Sequence, residues 1–154
     1  MLVSGFGQTY FIALFAGFIQ GDLGLSHGEW GSMYALATIG SAVVMLWAGT
    51  LTDRYRVRTL VPAVLGLFAV AALWMSQANA AWMLIPIIFV LRFMGQGMLS
   101  QISSVAMSRW FVKTRGKAVS LASLGYAIGE SMLPIVVVLT FAFVGWQAIW
   151  AAAA

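Results

Sequence analysis

The chain is expected to be an all-α protein, a polytopic bundle of about five membrane-spanning helices plus the start of a sixth, and three features of the sequence predict this. First, 62% of its 154 residues are hydrophobic and only 8% are charged, with a mean hydropathy of +0.97, whereas a soluble domain carries roughly 25% charged residues. Second, apolar runs of about 20 residues, the length needed to cross a bilayer, alternate with short polar breaks. Third, seven of the eight basic residues fall in two short segments, Arg54, Arg56 and Arg58, then Arg109, Lys113, Arg115 and Lys117. The net charge of +4 is therefore a topology signal and not the footprint of a nucleic-acid binder. There is no cysteine, which excludes a disulfide framework, a thiolate metal site and a nucleophilic thiol. No metal site and no cofactor are expected.

The first span is expected over residues 2–20. Its start, with Ser4, Gly5, Gly7, Gln8 and Thr9, is too polar to face lipid and must meet protein or a cavity. No basic segment or small-residue cleavage site marks it as a removable signal, and the lack of a basic tail before Met1 reads as a truncated start. Residues 21–29 form the first loop, in which Ser26 and Glu29 have the spacing of a capping box for the next helix. His27 reads as solvated surface, and Trp30 as an interface marker.

The second span, 30–51, carries small residues three and four apart, among them Gly31, Ala35, Gly40 and Ser41, a spacing that lets helix backbones approach closely. After the charged loop Gly49–Arg58 comes the third span, 59–76. The break Gln77–Asn79 leads into the fourth, 81–104. Pro62 and Pro86 lie near helix starts, where a missing N–H costs least. The second basic loop, Ser108–Lys117, precedes the fifth span, 118–143, with Gly125, Gly129 and Pro134 expected to serve helix packing. A sixth, 146–154, is incomplete, since nine residues cannot cross a bilayer. The whole, 1–154, reads as a single transmembrane domain and a fragment of something longer. The two basic loops hold seven Lys or Arg and the other loops none; that split places the basic loops in the cytoplasm of a multi-pass cell-membrane protein, a bacterial inner membrane being the expected setting.

Arg92 stands about 11 residues into the fourth span, about 16 Å from its outer end at 1.5 Å per residue. It cannot snorkel that far, so it must face the bundle interior, a water-filled cavity or a carboxylate, and an intramembrane charge is a functional candidate by default. Gln96, Ser100 and Ser103 or Ser104 continue a polar stripe from it at helical spacing. Glu130 lies at a similar depth in the fifth span, so an Arg92–Glu130 pair, broken and remade as an anionic solute or a proton arrives, is expected. Gln8 is a further candidate for substrate or proton coupling.

The loop GTLTDRYRVR resembles the loop between the second and third helices of the major facilitator superfamily of secondary transporters, Gly-x-Leu-x-Asp-Arg-x-Gly-Arg-Arg/Lys. Gly49, Leu51, Asp53, Arg54 and Arg58 fall on the pattern, while Arg56 stands where the family has Gly and Val57 where it has Arg. The resemblance implies that Gly49, Asp53, Arg54 and Arg58 form a gating loop whose charges latch onto neighbouring helix ends. LRFMGQG, Leu91–Gly97, resembles the family's fourth-helix motif Arg-x-x-Gln-Gly-x-Gly, with Arg92 in place and Gln96 and Gly97 one residue late; there the arginine is associated with coupling. Arg109–Pro134 is similar to the loop and fifth helix of the monocarboxylate and oxalate/formate branch, on Trp110, Phe111, Arg115, Gly116, Ala118, Gly125, Gly129 and Pro134. Leu133 stands where the antiporter motif has Gly. The resemblance covers essentially the whole chain as the N-terminal half of a twelve-helix transporter, and implies alternating access about a midplane site shared with the missing C-terminal half.

It therefore implies a secondary active carrier of a small organic solute, with carboxylates among the candidates and H+ as a coupling ion. A multidrug or other efflux carrier of the same superfamily is the alternative, and a non-transporting membrane scaffold or sensor is the alternative of another class. A membrane enzyme is not expected, because the single histidine lies in a loop and no paired catalytic set is present.

Overall fold

The structure is a computed structural model, and it describes residues 3–141 and 143–154. Among them every regular element is helical. A 3-10 segment, Val3–Gly7, leads into α1 (Thr9–Leu23). There follow α2 (His27–Ala48), the single turn α3 (Leu51–Arg54), α4 (Val57–Ser76), α5 (Ala81–Trp110), α6 (Arg115–Phe141) and α7 (Trp146–Ala153). Four stretches are long and apolar enough to cross a membrane, His27–Arg54, Val57–Ser76, Ala81–Trp110 and Val112–Phe141, and Thr9–Leu23 is a shorter apolar helix.

The expected first loop shrinks to Gly24–Ser26. Gly24 supplies the left-handed residue (φ 65°) that ends α1, as a C-terminal glycine does. The Ser26–Glu29 capping box forms: Glu29 N–H donates to Ser26 Oγ at 3.2 Å and Ser26 N–H to Glu29 Oε2 at 2.9 Å. His27 is the first residue of α2 and is exposed. At the charged loop Gly49 is right-handed helical and bonds back to Met45. The chain turns instead at Tyr55 and Arg56, both extended; no left-handed residue is required, so Arg56 is tolerated where the family pattern has glycine.

The second basic segment is no open loop. α5 runs to Trp110, six residues past the expected end, a 3-10 turn covers Val112–Thr114, and α6 starts at Arg115. Pro62 and Pro86 are each the sixth residue of their helix, Pro62 two residues further in than the expected start at 59 would put it, and leave the carbonyls of Arg58 and Trp82 without their i+4 donors.

Helices pair across the chain more than along it. α2 packs on α5, α4 on α5 and α7, α1 on α6, and the Val3–Gly7 segment on the middle of α5. The core is rich in aromatic rings from α1 and α7: Phe11 and Phe15 meet the fully buried Trp150 at centroid distances of 5.3 and 5.2 Å. Trp146, also buried, donates from Nε1 to Asp22 Oδ2 at 2.6 Å. These two tryptophans are thus core residues, because α7 is folded onto α4 with their indoles turned to α1. Trp82, by contrast, is largely exposed.

Candidate functional site

The site is built where α5 departs from regular helix. Ala81–Leu91 is a normal apolar helix, Arg92–Leu99 winds as a π-helix, and Ser100 resumes the α form. Such segments are rare, usually a single turn, and cluster at functional sites. Two glycines bring the α1 entry against this segment. A side chain at Gly95 would place its Cβ 2.7 Å from Gly7 Cα and 2.8 Å from the Phe68 ring, and one at Gly7 would collide with the Leu91 carbonyl. The backbone of the α1 entry therefore lies directly against α5, which explains why Ser4, Gly5, Gly7 and Gln8 are buried, as their polarity requires.

Arg92, the first residue of the π segment, is 8% exposed. Its Nη1 donates to Thr9 Oγ1 at 2.7 Å and to Tyr34 OH at 2.8 Å, and its guanidinium carbon lies 5.3 Å from the centre of the Tyr34 ring. Its Nε has no partner. Among the described residues the one ion pair is Arg109–Asp53, so the Arg92 cation is held by neutral groups and the face of a ring. Burying an arginine at a helix centre costs at least ~2.5 kcal/mol; the two hydroxyls and the cation–π contact offset that cost without neutralising the charge.

Beside it, α2 and α5 enclose a cleft of about 340 Å³. Thr38 and Ser41 line it from α2; Arg92, Gln96, Ser100 and Gln101 line it from α5, with Met45 and Phe93 as apolar walls. Thr38 Oγ1 is buried without a partner, while Ser41 Oγ is spent on the Thr38 carbonyl at 2.8 Å. The wider π turn sets which residues of α5 reach the cleft. Pairs step by four, 92 and 93, 96 and 97, then 100 and 101. Ser103 and Ser104 instead bond back to the carbonyls of Leu99 and Ser100. The predicted stripe is thus right for Arg92, Gln96 and Ser100 and ends there.

Glu130 does not pair with Arg92. It is exposed on α6, near Tyr10 and Tyr126, whose rings meet edge to face at 6.3 Å and which feel its charge. The physical reason is that α6 packs on α5 chiefly at its basic end, Ser100–Trp110; nearer mid-depth its main neighbours are α1 and the Val3–Gly7 segment. Gln8 is 6% exposed, at the N-cap of α1 and outside the cleft. Gly129 is buried and Gly125 half-buried, while Pro134 lies within α6 and removes the N–H that would bind the Glu130 carbonyl.

At the basic end, Arg109 Nη2 donates to Asp53 Oδ1 at 2.8 Å, joining the last turn of α5 to α3. Both side chains are solvent-exposed, as are Arg54 and Arg58. Sequence reasoning missed Thr9, Tyr34 and Thr38 as members of the Arg92 site. One signal was present: Tyr34, Thr38 and Ser41 follow helical spacing and form a polar stripe on α2.

The sequence profile of the Major Facilitator Superfamily matches residues 1–154. A protein of Haemophilus influenzae described as a metabolite transport protein is 30% identical over 151 residues, covering 93% of this chain and 36% of that protein. The hexuronate transporter of Bacillus subtilis is 29% identical over 143 residues, covering 88% of this chain and 32% of its own length. The chain thus spans about a third of the length of the curated relatives it matches. No solved structure matches it significantly. With apolar helices, a superfamily match over its full length and relatives named as transporters rather than enzymes, the chain is a multi-pass membrane protein that belongs to the major facilitator superfamily.

Proposed function

We propose that the chain forms the N-terminal half of a secondary transporter and carries the anion-binding wall of its substrate site, with a small hydroxylated carboxylate as substrate. The observation that carries this reading is Arg92: a buried cation with no carboxylate beside it and a free Nε. A guanidinium offers a planar fork of N–H donors that matches a carboxylate, and Thr38 Oγ1 is a second unpaired polar group on the same cleft. Gln96, Ser100 and Gln101 extend hydrogen-bonding capacity away from Arg92, which favours a polyhydroxylated acid over an apolar monocarboxylate. A hexuronate, the solute named for one relative, is such a molecule. Arg92 repels a cationic drug, which counts against that kind of efflux.

In this reading the superfamily's rocking of two halves gives alternating access, and the Asp53–Arg109 pair acts as a latch at the basic end. The basic ends face the cytoplasm of a bacterial inner membrane by the positive-inside rule, and Glu130 is the group that takes up a coupling proton. The test is uptake of a radiolabelled hexuronate by proteoliposomes containing the protein. Arg92→Gln is expected to cut uptake by at least about thirtyfold, the low end of what losing one member of a buried charged contact costs. Arg92→Lys, which keeps the charge and loses the fork, should restore it only in part. Undiminished hexuronate uptake in Arg92→Gln overturns the reading.

A further inference from the structure

A second cavity lies at the basic end, where α5 hands over to α6. It is a groove of about 430 Å³ lined by apolar Met107, Phe111, Ala118, Leu121 and Ala122 and by polar Thr114 and Lys117, which belong to the turn before α6 and its first turn, at the basic end. Ala118 and Ala122 are one helical turn apart on α6, and their small side chains open the furrow that Phe111 and Leu121, 46% and 70% exposed, flank. Lys113 and Arg115, which flank Thr114, are exposed. Of the four acidic residues in the chain, Asp53 is already paired with Arg109, Asp22 and Glu29 belong to the opposite ends of α1 and α2, and Glu130 is 13 residues along α6 from Lys117, about 20 Å. Among the described residues no acidic group pairs with Lys117.

We infer that this groove is a binding site for one anionic phospholipid, its acyl chain lying in the furrow and its phosphate on Lys117 and Thr114. The charge decides the lipid class. Within a bilayer an apolar furrow cannot distinguish one lipid tail from another, since tails are as apolar as the side chains that line it. Selectivity must come from the headgroup end, and a basic pocket between helices at the membrane surface favours anionic headgroups. One lysine near the surface is worth about fivefold in affinity for an anionic over a zwitterionic lipid. The inference concerns the membrane face of the chain and does not depend on the solute carried.

Native mass spectrometry of the detergent-solubilised protein tests it, with phosphatidylglycerol and phosphatidylcholine of identical tails as probes. One phosphatidylglycerol should be retained in at least fivefold preference. Lys117→Gln, an exposed change, should erase about fivefold of that preference while retention of phosphatidylcholine stays the same. Ala118→Trp should reduce retention of both lipids. Equal retention of the two lipids by the unmodified protein, an unchanged preference in Lys117→Gln, or full competition by glycerol phosphate alone would each overturn the proposal. So would a photocrosslinker at position 122 that captures polypeptide rather than lipid in native membranes, since a further segment or a second copy would then be the occupant.

Discussion

Gly95→Ala puts the close approach of the α1 entry and the π segment to the test. The added methyl would meet Gly7 Cα at 2.7 Å, Phe68 Cε2 at 2.8 Å and Gly7 N at 3.1 Å. Two of these three atoms are backbone, and the third belongs to a buried ring, so no flexible side chain can swing away and the segments must separate. Overpacking of this kind costs about 1–3 kcal/mol. At about 2–4 °C per kcal/mol for a chain of this length, the midpoint of thermal unfolding in detergent should fall by roughly 2–12 °C. Gly66→Ala is the internal control: it sits mid-helix in α4 with nothing within 4 Å of its added Cβ, and alanine gains about 1 kcal/mol over glycine in a helix, so its midpoint should hold or rise slightly. Thr9 is two residues from Gly7 and bonds Arg92 at 2.7 Å, so separation of the segments also loosens the Arg92 site, and Gly95→Ala should lower hexuronate uptake. If Gly95→Ala melts at or above the parent temperature, as Gly66→Ala should, the packing argument fails.

Asp53→Asn should impair uptake while shifting the melting midpoint by no more than a few degrees, because an exposed ion pair contributes only ~0–1 kcal/mol; exchanging the charges, Asp53→Arg with Arg109→Asp, should recover uptake, and no recovery sinks the latch. Trp146→Phe keeps the buried ring and removes the 2.6 Å bond to Asp22, at a cost of about 1.5–3 kcal/mol for a hydrogen bond to a charged group, read as a lower melting midpoint that Asp22→Asn reproduces in part. Cysteines at Ser26 and Asn79 should react with an impermeant label on whole cells and one at Thr114 only after lysis; labelling of position 114 from outside reverses the orientation.

What was legible in the sequence is what depends on composition and local spacing. Four long apolar helices, the Ser26–Glu29 capping box, the interior position of Arg92 and the protein-facing start of the chain all follow from how water, lipid and backbone treat nearby residues. What was hidden is non-local. Thr9 and Tyr34 reach Arg92 across 83 and 58 residues of chain, and nothing in a helical period announces such partners. Trp146 and Trp150 carry the composition of an interface belt, yet α7 folds them inward against Phe11 and Phe15. The π segment is hidden for another reason. A helical pattern with glycines at 95 and 97 is compatible with either winding, and the contact of Gly95 with Gly7 that accompanies the wider one is itself non-local.

The failed Arg92–Glu130 pairing shows how topology overrides sequence adjacency. α5 and α6 are consecutive and reach similar depths, which made a bridge between them a natural expectation. They touch at the basic end, and toward mid-depth α1 and the Val3–Gly7 segment lie between them, packed on α6 on one side and on the π segment of α5 on the other. Thr9 and Tyr10 are adjacent residues of this wedge. Thr9 binds Arg92, and Tyr10 meets Tyr126 beside Glu130. The two intramembrane charges therefore do not compensate each other directly: Arg92 is bonded to Thr9, while Glu130 lies near Tyr10, whose hydroxyl has no hydrogen-bond partner. A shift of that stretch would change the surroundings of both at once, with the glycine contact at 7 and 95 as its bearing. Any communication between an anion at Arg92 and a proton at Glu130 would then have a physical route through two consecutive residues of α1, with no need for the side chains to meet.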